Sequence, residues 1–138
     1  MKTETAIFAA GCFWKPEEIF SKTSWVLKTR VGYVGGKIQN PNYPLVCSGV
    51  SGHVEATGII FNPKKISYGK LLEIFWEIHN PTEKDKQGMD FRKQYNSMIF
   101  YTNAKQKEIG RKIVTKIRKS EKFWLAEKYH QKYFEKRK

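Results

Sequence analysis

Two cysteines occur in the chain, Cys12 and Cys47, and only the first has neighbours that ask for an explanation. Cys12 stands in "AAGCFWKPEE", between Gly11 and the rings of Phe13 and Trp14, where an apolar run gives way to Pro16, Glu17 and Glu18. A thiol attacks as thiolate, and the start of a helix supplies the partial positive charge that favours the thiolate. The two rings could wall an apolar pocket at the sulfur, which suits a substrate with a methyl or thioether group. The plain alternative is hydrophobic core, because free cysteine is among the most buried residue types.

Three more residues could take part in such chemistry. Glu55 lies in "GHVEATGIIF", a strand pattern whose Val54 and Ala56 point to the opposite face. A carboxyl flanked so closely by apolar residues is either partly buried, which favours its neutral, proton-donating form, or an ordinary solvated strand residue. Tyr43 in "NPNYP" and Tyr95 in "KQYNS" follow loop segments, where a phenol either reaches into a cleft as a donor or lies on the surface. His53, His79 and His130 have no metal-site spacing, so they are read as structural or surface residues and no metal site is expected.

The elements that must position these groups follow from patterning. Thr5 to Ala10 reads as a short buried strand stopping at Gly11, followed by a helix that tolerates Pro16 in its first turn. "WVLKTRVGYVGG" has the β-branched and aromatic density of a strand. "KIQNPNYPLVCSGVSG" reads as a long irregular loop, and "HVEATGIIF" as a strand ending at Asn62. Ser67 starts a helix with Leu71, Leu72, Phe75 and Ile78 at helical spacing until Pro81. A polar loop, a strand in "YNSMIFYT", a short basic helix capped by Asn103 and an edge strand in "IVTKI" follow. The terminal "LAEKYHQKYFEK" reads as a helix with Tyr129, Tyr133 and Phe134 near one face. Interleaved strands and helices predict an α+β fold, a two-layer sandwich with helices on a mixed sheet.

Composition narrows the function classes. At 138 residues, with 40% hydrophobic and 14% aromatic content, the chain fits one domain, residues 1–138. No stretch approaches a membrane span, the N-terminus has no signal-peptide core, and a cytoplasmic location is expected. The net charge of +13 invites a nucleic-acid reading. Yet the only arginines are Arg30, Arg92, Arg111, Arg118 and Arg137, and no nucleic-acid motif accompanies the lysines, so no specific nucleic-acid role is expected.

Seven blocks carry a resemblance across nearly the whole chain: "GCFW" at Gly11 to Trp14, "GYVGG" at Gly32 to Gly36, "NPNYPLVCSGVSGHVEA" at Asn40 to Ala56, "FWEIHNPT" at Phe75 to Thr82, "QGMD" at Gln87 to Asp90, "QYNSMIF" at Gln94 to Phe100, and "AEKYHQKYF" near the end. In these the sequence resembles the A-type peptide-methionine sulfoxide reductases, which reduce the S epimer of methionine sulfoxide. The resemblance implies a ferredoxin-like α/β layer arrangement. It implies Cys12 as nucleophile on the sulfoxide sulfur, Phe13 and Trp14 holding the substrate methyl, Glu55 protonating the oxygen, and Tyr43 and Tyr95 hydrogen-bonding it. Asp90 would help order the pocket.

The resemblance also implies no bound cofactor, but a sulfenic acid at Cys12 that a thiol must reduce. Many family members carry a resolving cysteine in a C-terminal tail. Here only Cys47 remains, at a place that is generally not the resolving one. An external reductant, thioredoxin-like, glutaredoxin or glutathione, is therefore expected, with a Cys12–Cys47 disulfide as the competitor. The segment between "FYTNAKQKEIG" and "KIVTKI" is shortened relative to the family, Lys116 stands where a glutamate is usual, and Asn96 where arginine is frequent. Expected partners are oxidised peptides or proteins, free methionine sulfoxide and the thiol reductant, acting on a monomer. The contrasting expectation is a non-catalytic basic domain on the same fold, binding oxidised protein or polyanions.

Overall fold

The computed structural model describes residues 2–9, 13–48, 52–78, 98–111 and 117–133. Its elements run β1 (Glu4–Ala9), α1 (Trp14–Ser21), β2 (Val26–Val34), α2 (Tyr43–Ser48), β3 (Val54–Phe61), α3 (Tyr68–Ile78), β4 (Met98–Tyr101), α4 (Ala104–Arg111), β5 (Ile117–Lys119) and β6 (Trp124–Leu125), then a 3₁₀ turn at Lys128–His130. The polar loop expected after Pro81, and the positions of Asn96 and Lys116, lie outside the described residues.

The strands form one sheet in the order β5-β4-β1-β3-β2-β6. β4 and β5 are parallel and every other neighbouring pair is antiparallel. Its four inner strands, β4-β1-β3-β2, with α1 between β1 and β2 and α3 between β3 and β4, make the ferredoxin-like βαββαβ arrangement. The α+β, two-layer expectation therefore holds, with β5 and β6 added at the edges.

Alternation along the strands divides the core. Ala6 and Phe8 of β1, Ile59 and Phe61 of β3 and Ile99 of β4 pack with Phe20 of α1 and Leu71, Leu72 and Phe75 of α3. Ile7, Ala9, Val34, Val54, Ala56 and Phe100 meet on the opposite face, with Phe123 laid against them. β3 is central, so both its faces are covered, and all but one of its residues are buried. Phe8 anchors the helical side, its ring centroid 4.9 Å from that of Phe75 and 5.7 Å from that of Phe20.

Helix starts follow their expected caps. The Lys70 amide donates to Ser67 Oγ at 3.0 Å, and the Gln106 amide to Asn103 Oδ1 at 2.8 Å. Two expectations fail. The loop after β2 contains α2, because Asn42 caps it through the Leu45 amide and Pro44 falls in the first turn, where its missing N–H is harmless. The terminal helix does not form: residues 124–133 pass through β6 and a single 3₁₀ turn, and Lys132 adopts a left-handed φ of 52° that ends helical continuation. Of the edge strand expected in "IVTKI", Ile117 lies in β5, and the preceding residues lie outside the described ones.

β6 approaches β2 at a glycine. A Cβ on Gly32 would lie 2.4 Å from the Trp124 carbonyl oxygen and 2.5 Å from the Phe123 ring, whereas at Gly58 the closest atom would be at 3.4 Å. Gly32→Ala is therefore expected to destabilise the protein by about 1–3 kcal/mol through overpacking. Gly58→Ala should be neutral or slightly stabilising, because a strand glycine loses extra chain entropy on folding. Urea unfolding of the two variants checks the contrast.

Candidate functional site

The site is built where β3, the start of α1 and the 126–133 segment meet. Glu55 is fully buried and faces the helical side of the sheet, opposite Val54 and Ala56. Its Oε1 accepts the Phe13 amide at 3.4 Å, so a carboxyl group meets the N-terminal end of α1, where N–H groups lack helical partners. Across the ladder Glu55 is paired with Tyr33 of β2. Phe13 is buried among Val31, Tyr33, Val46 and Ala126, with Trp14 and Tyr43 partly buried around it.

His130 is the hub of the aromatic cluster. It is 1% exposed, and its ring centroid lies 5.1 Å from Phe13, 5.6 Å from Trp14, 4.5 Å from Tyr43 and 4.1 Å from Tyr129. Trp14 Nε1–H donates to His130 Nδ1 at 3.0 Å, which assigns the imidazole proton to Nε2. The opposite side of the indole is occupied by Tyr133, stacked at 3.6 Å with an interplanar angle of 6°. Trp14 is thereby fixed in both position and tilt.

Glu127 links this cluster to α2. One oxygen accepts Tyr33 Oη–H at 2.7 Å and the other the Tyr43 amide at 2.9 Å. Burial works against its charge, but these two bonds, with a bond from its own backbone amide and the nearby His130, outweigh that and hold the carboxyl below its ordinary range. Burial, reinforced by the bond to Glu127, pushes the Tyr33 phenol far up, so Tyr33 stays a protonated donor. His53 serves the adjoining loop, accepting the Gly36 amide at Nδ1 and donating from Nε2 to the Ile38 carbonyl at 2.7 Å.

The chain was compared with known proteins. The family model for peptide methionine sulfoxide reductase matches residues 4–138. The chain belongs to that family. A Methanococcus maripaludis peptide methionine sulfoxide reductase MsrA is 49% identical over 147 residues, covering 98% of this chain and 94% of that protein. Mxr1 from Saccharomyces cerevisiae in reduced form superposes with a TM-score of 0.85 at 29% identity, covering 98% and 86% of the two chains. Methionine sulfoxide reductase A of Corynebacterium diphtheriae gives 0.82 at 27% identity, covering 97% and 74%. The protein is thus an oxidoreductase that reduces methionine sulfoxide at the expense of thiols, and the non-catalytic basic domain gives way to this reading.

Of the reductase's expected site residues, Phe13, Trp14, Glu55 and Tyr43 fall within one cluster. Cys12, Asp90 and Tyr95 lie outside the described residues. His130, read as structural or surface, sits among the pocket residues, and Tyr33, Glu127 and Tyr133 were not singled out for the site. Their sequence signals are the "GYVGG" block, which holds Tyr33, and the "AEKYHQKYF" block, which holds the other three and whose residues have partners roughly a hundred positions away. Among the described residues, no three His, Cys, Asp or Glu side chains converge to hold a metal ion. No helix among them is long and apolar enough to cross a membrane.

The lowered Glu127 pKa has a sign. Its contribution to stability is complete above the ordinary carboxyl pKa of about 4.3 and is lost as pH falls through the lower folded-state value. Glu127→Gln is expected to be less stable than the native reductase near neutrality. That difference should close as urea unfolding is repeated towards about pH 3.

Proposed function

We propose that Cys12 attacks the sulfoxide sulfur of methionine (S)-sulfoxide while Glu55 protonates the sulfoxide oxygen. The observation that carries this reading is the bond from the amide of Phe13, the residue after Cys12, to the buried Glu55 carboxyl. It ties the acid to the residue that follows Cys12 in sequence, at the start of α1. Protonation by Glu55 turns a poor leaving oxide into a hydroxyl that can depart as water. Tyr43 and Tyr95 donate to the oxygen as charge develops on it. The Trp14 face receives the methyl, Phe13 backs it from the core side, and Asp90 helps order the pocket.

The electron count closes with a dithiol. Attack forms a bond from the Cys12 sulfur to the substrate sulfur as the protonated oxygen leaves as water; a water then adds to the Cys12 sulfur, that bond breaks, methionine is released and Cys12 is left as sulfenic acid, the first step of thiol oxidation. A first external thiol condenses with the sulfenic acid, releasing water and forming a mixed disulfide, and a second thiol displaces Cys12 from it. Cys47, half-buried on α2, takes no part in this scheme. A thioredoxin-like protein, glutaredoxin or glutathione fills the reductant's role, and a reducing compartment such as the cytoplasm suits the reaction. The substrate is free or peptide-bound, and the protein acts as a single-domain monomer.

Racemic methionine sulfoxide peptide incubated with excess dithiol should lose only its S epimer on chiral chromatography. Cys12→Ser should abolish the loss, and Glu55→Gln should lower kcat by about 10²–10⁴-fold. After one turnover without thiol, mass spectrometry should find Cys12 trapped as sulfenic acid; a Cys12–Cys47 disulfide would overturn the external-reductant scheme.

A further inference from the structure

Glu17, in the first turn of α1, is 1% exposed, and its carboxylate is the centre of a second long-range junction. Oε1 accepts the Lys132 amide at 2.7 Å, and Oε2 accepts Lys132 Nζ at 3.2 Å and Thr29 Oγ1–H at 3.1 Å. Lys132 Nζ also donates to the Thr29 carbonyl at 2.9 Å and to Thr29 Oγ1 at 2.6 Å. The Glu17 side chain is buried while that of Lys132 keeps 36% exposure, and a buried carboxylate is tolerated only when its hydrogen-bonding positions are filled, as they are here.

The junction lies beside the substrate wall in two ways. Glu17 follows Trp14 by three positions, so both side chains leave α1 on neighbouring ground. Lys132 directly precedes Tyr133, whose ring stacks on that same indole. Lys132 also holds a left-handed φ of 52°, an unfavourable conformation for a side-chain-bearing residue unless its surroundings over-determine it. The amide and ammonium of Lys132, both bound to one carboxylate, do so. The resulting turn folds Tyr133 back over Trp14.

We infer that Lys132, through Glu17 and Thr29, is a positioning residue for the Trp14–Tyr133 wall and so sets substrate affinity without touching the reacting atoms. The inference rests on the proposed role of Trp14 in receiving the methyl group. Loss of the ammonium leaves the thiol and the acid in place but loosens the wall. Binding shared by ground and transition states then weakens, which raises KM and leaves kcat.

The test is steady-state kinetics on methionine sulfoxide peptide for Lys132→Met, Tyr133→Ala and the double variant, with Tm recorded for each. Lys132→Met should raise KM by about tenfold with kcat within about twofold, and its effect on KM should vanish in the Tyr133→Ala background. Thr29→Val, which keeps the Lys132–Glu17 pair, should raise KM in the same direction by less, and it carries the test if Lys132→Met does not fold. A lowered Tm with unchanged KM, or an equal KM effect with and without Tyr133, would overturn the inference while sparing the pocket. An unchanged KM in Tyr133→Ala alone would instead overturn the pocket reading on which it rests.

Discussion

The side-chain amide of Gln131 does the work of a missing strand. Its oxygen accepts the Val31 amide at 2.9 Å, and its nitrogen donates to the carbonyls of Val31 and Ala126, each at 2.9 Å. The Ala126 amide adds a bond to the same Val31 carbonyl. β2 is thereby satisfied beyond the two-residue β6, at a point where a bare strand edge would leave polar groups unpaired. Because this amide binds the 126–133 segment to β2, Glu127, His130, Lys132 and Tyr133 are delivered to α1, β2 and α2 without any regular element of their own beyond one 3₁₀ turn.

Two kinds of support converge on the same helix. At its N-terminal end, α1 meets the Glu55 carboxyl through the Phe13 amide. One turn on, it presents Glu17 to Lys132 and Thr29. Aromatic packing fills the space between, so that Trp14 is constrained by a hydrogen bond on its edge and a stack on its face. A reductase that must accept one small polarised group gains from walls already in place before the substrate arrives, since little ordering is then left for binding to impose.

Local patterning was enough for most of the fold. Strand alternation in "HVEATGIIF", helical spacing in "YGKLLEIF" and the caps at Ser67 and Asn103 depend on neighbours a few residues away, and each appears where patterning put it. Asn42 and Pro44 are equally good helix openers and loop formers, which is why α2 was read as loop. The terminal segment misled because Tyr129 and Tyr133 are spaced as on one helix face. What decides its path are side-chain bonds to Val31, Tyr33 and Glu17, which have no local signature. His130 was weighed only for metal spacing, and nothing near it in sequence points to Trp14. Glu55, by contrast, was weighed as buried or solvated from its apolar neighbours alone, and it is buried.

The sequence distances of these bonds bear on the order of assembly. Trp14 and His130 are 116 positions apart, Glu17 and Lys132 115, and Val31 and Gln131 100. Closing loops of that length carries an entropic cost that must be met before the long-range contacts reward it. During synthesis from the N-terminus, α1 and β2 emerge long before the residues that complete their aromatic wall. A nascent chain therefore carries α1 and Trp14 before the residues that fix them, and the aromatic cluster is completed only when residues 126–133 emerge.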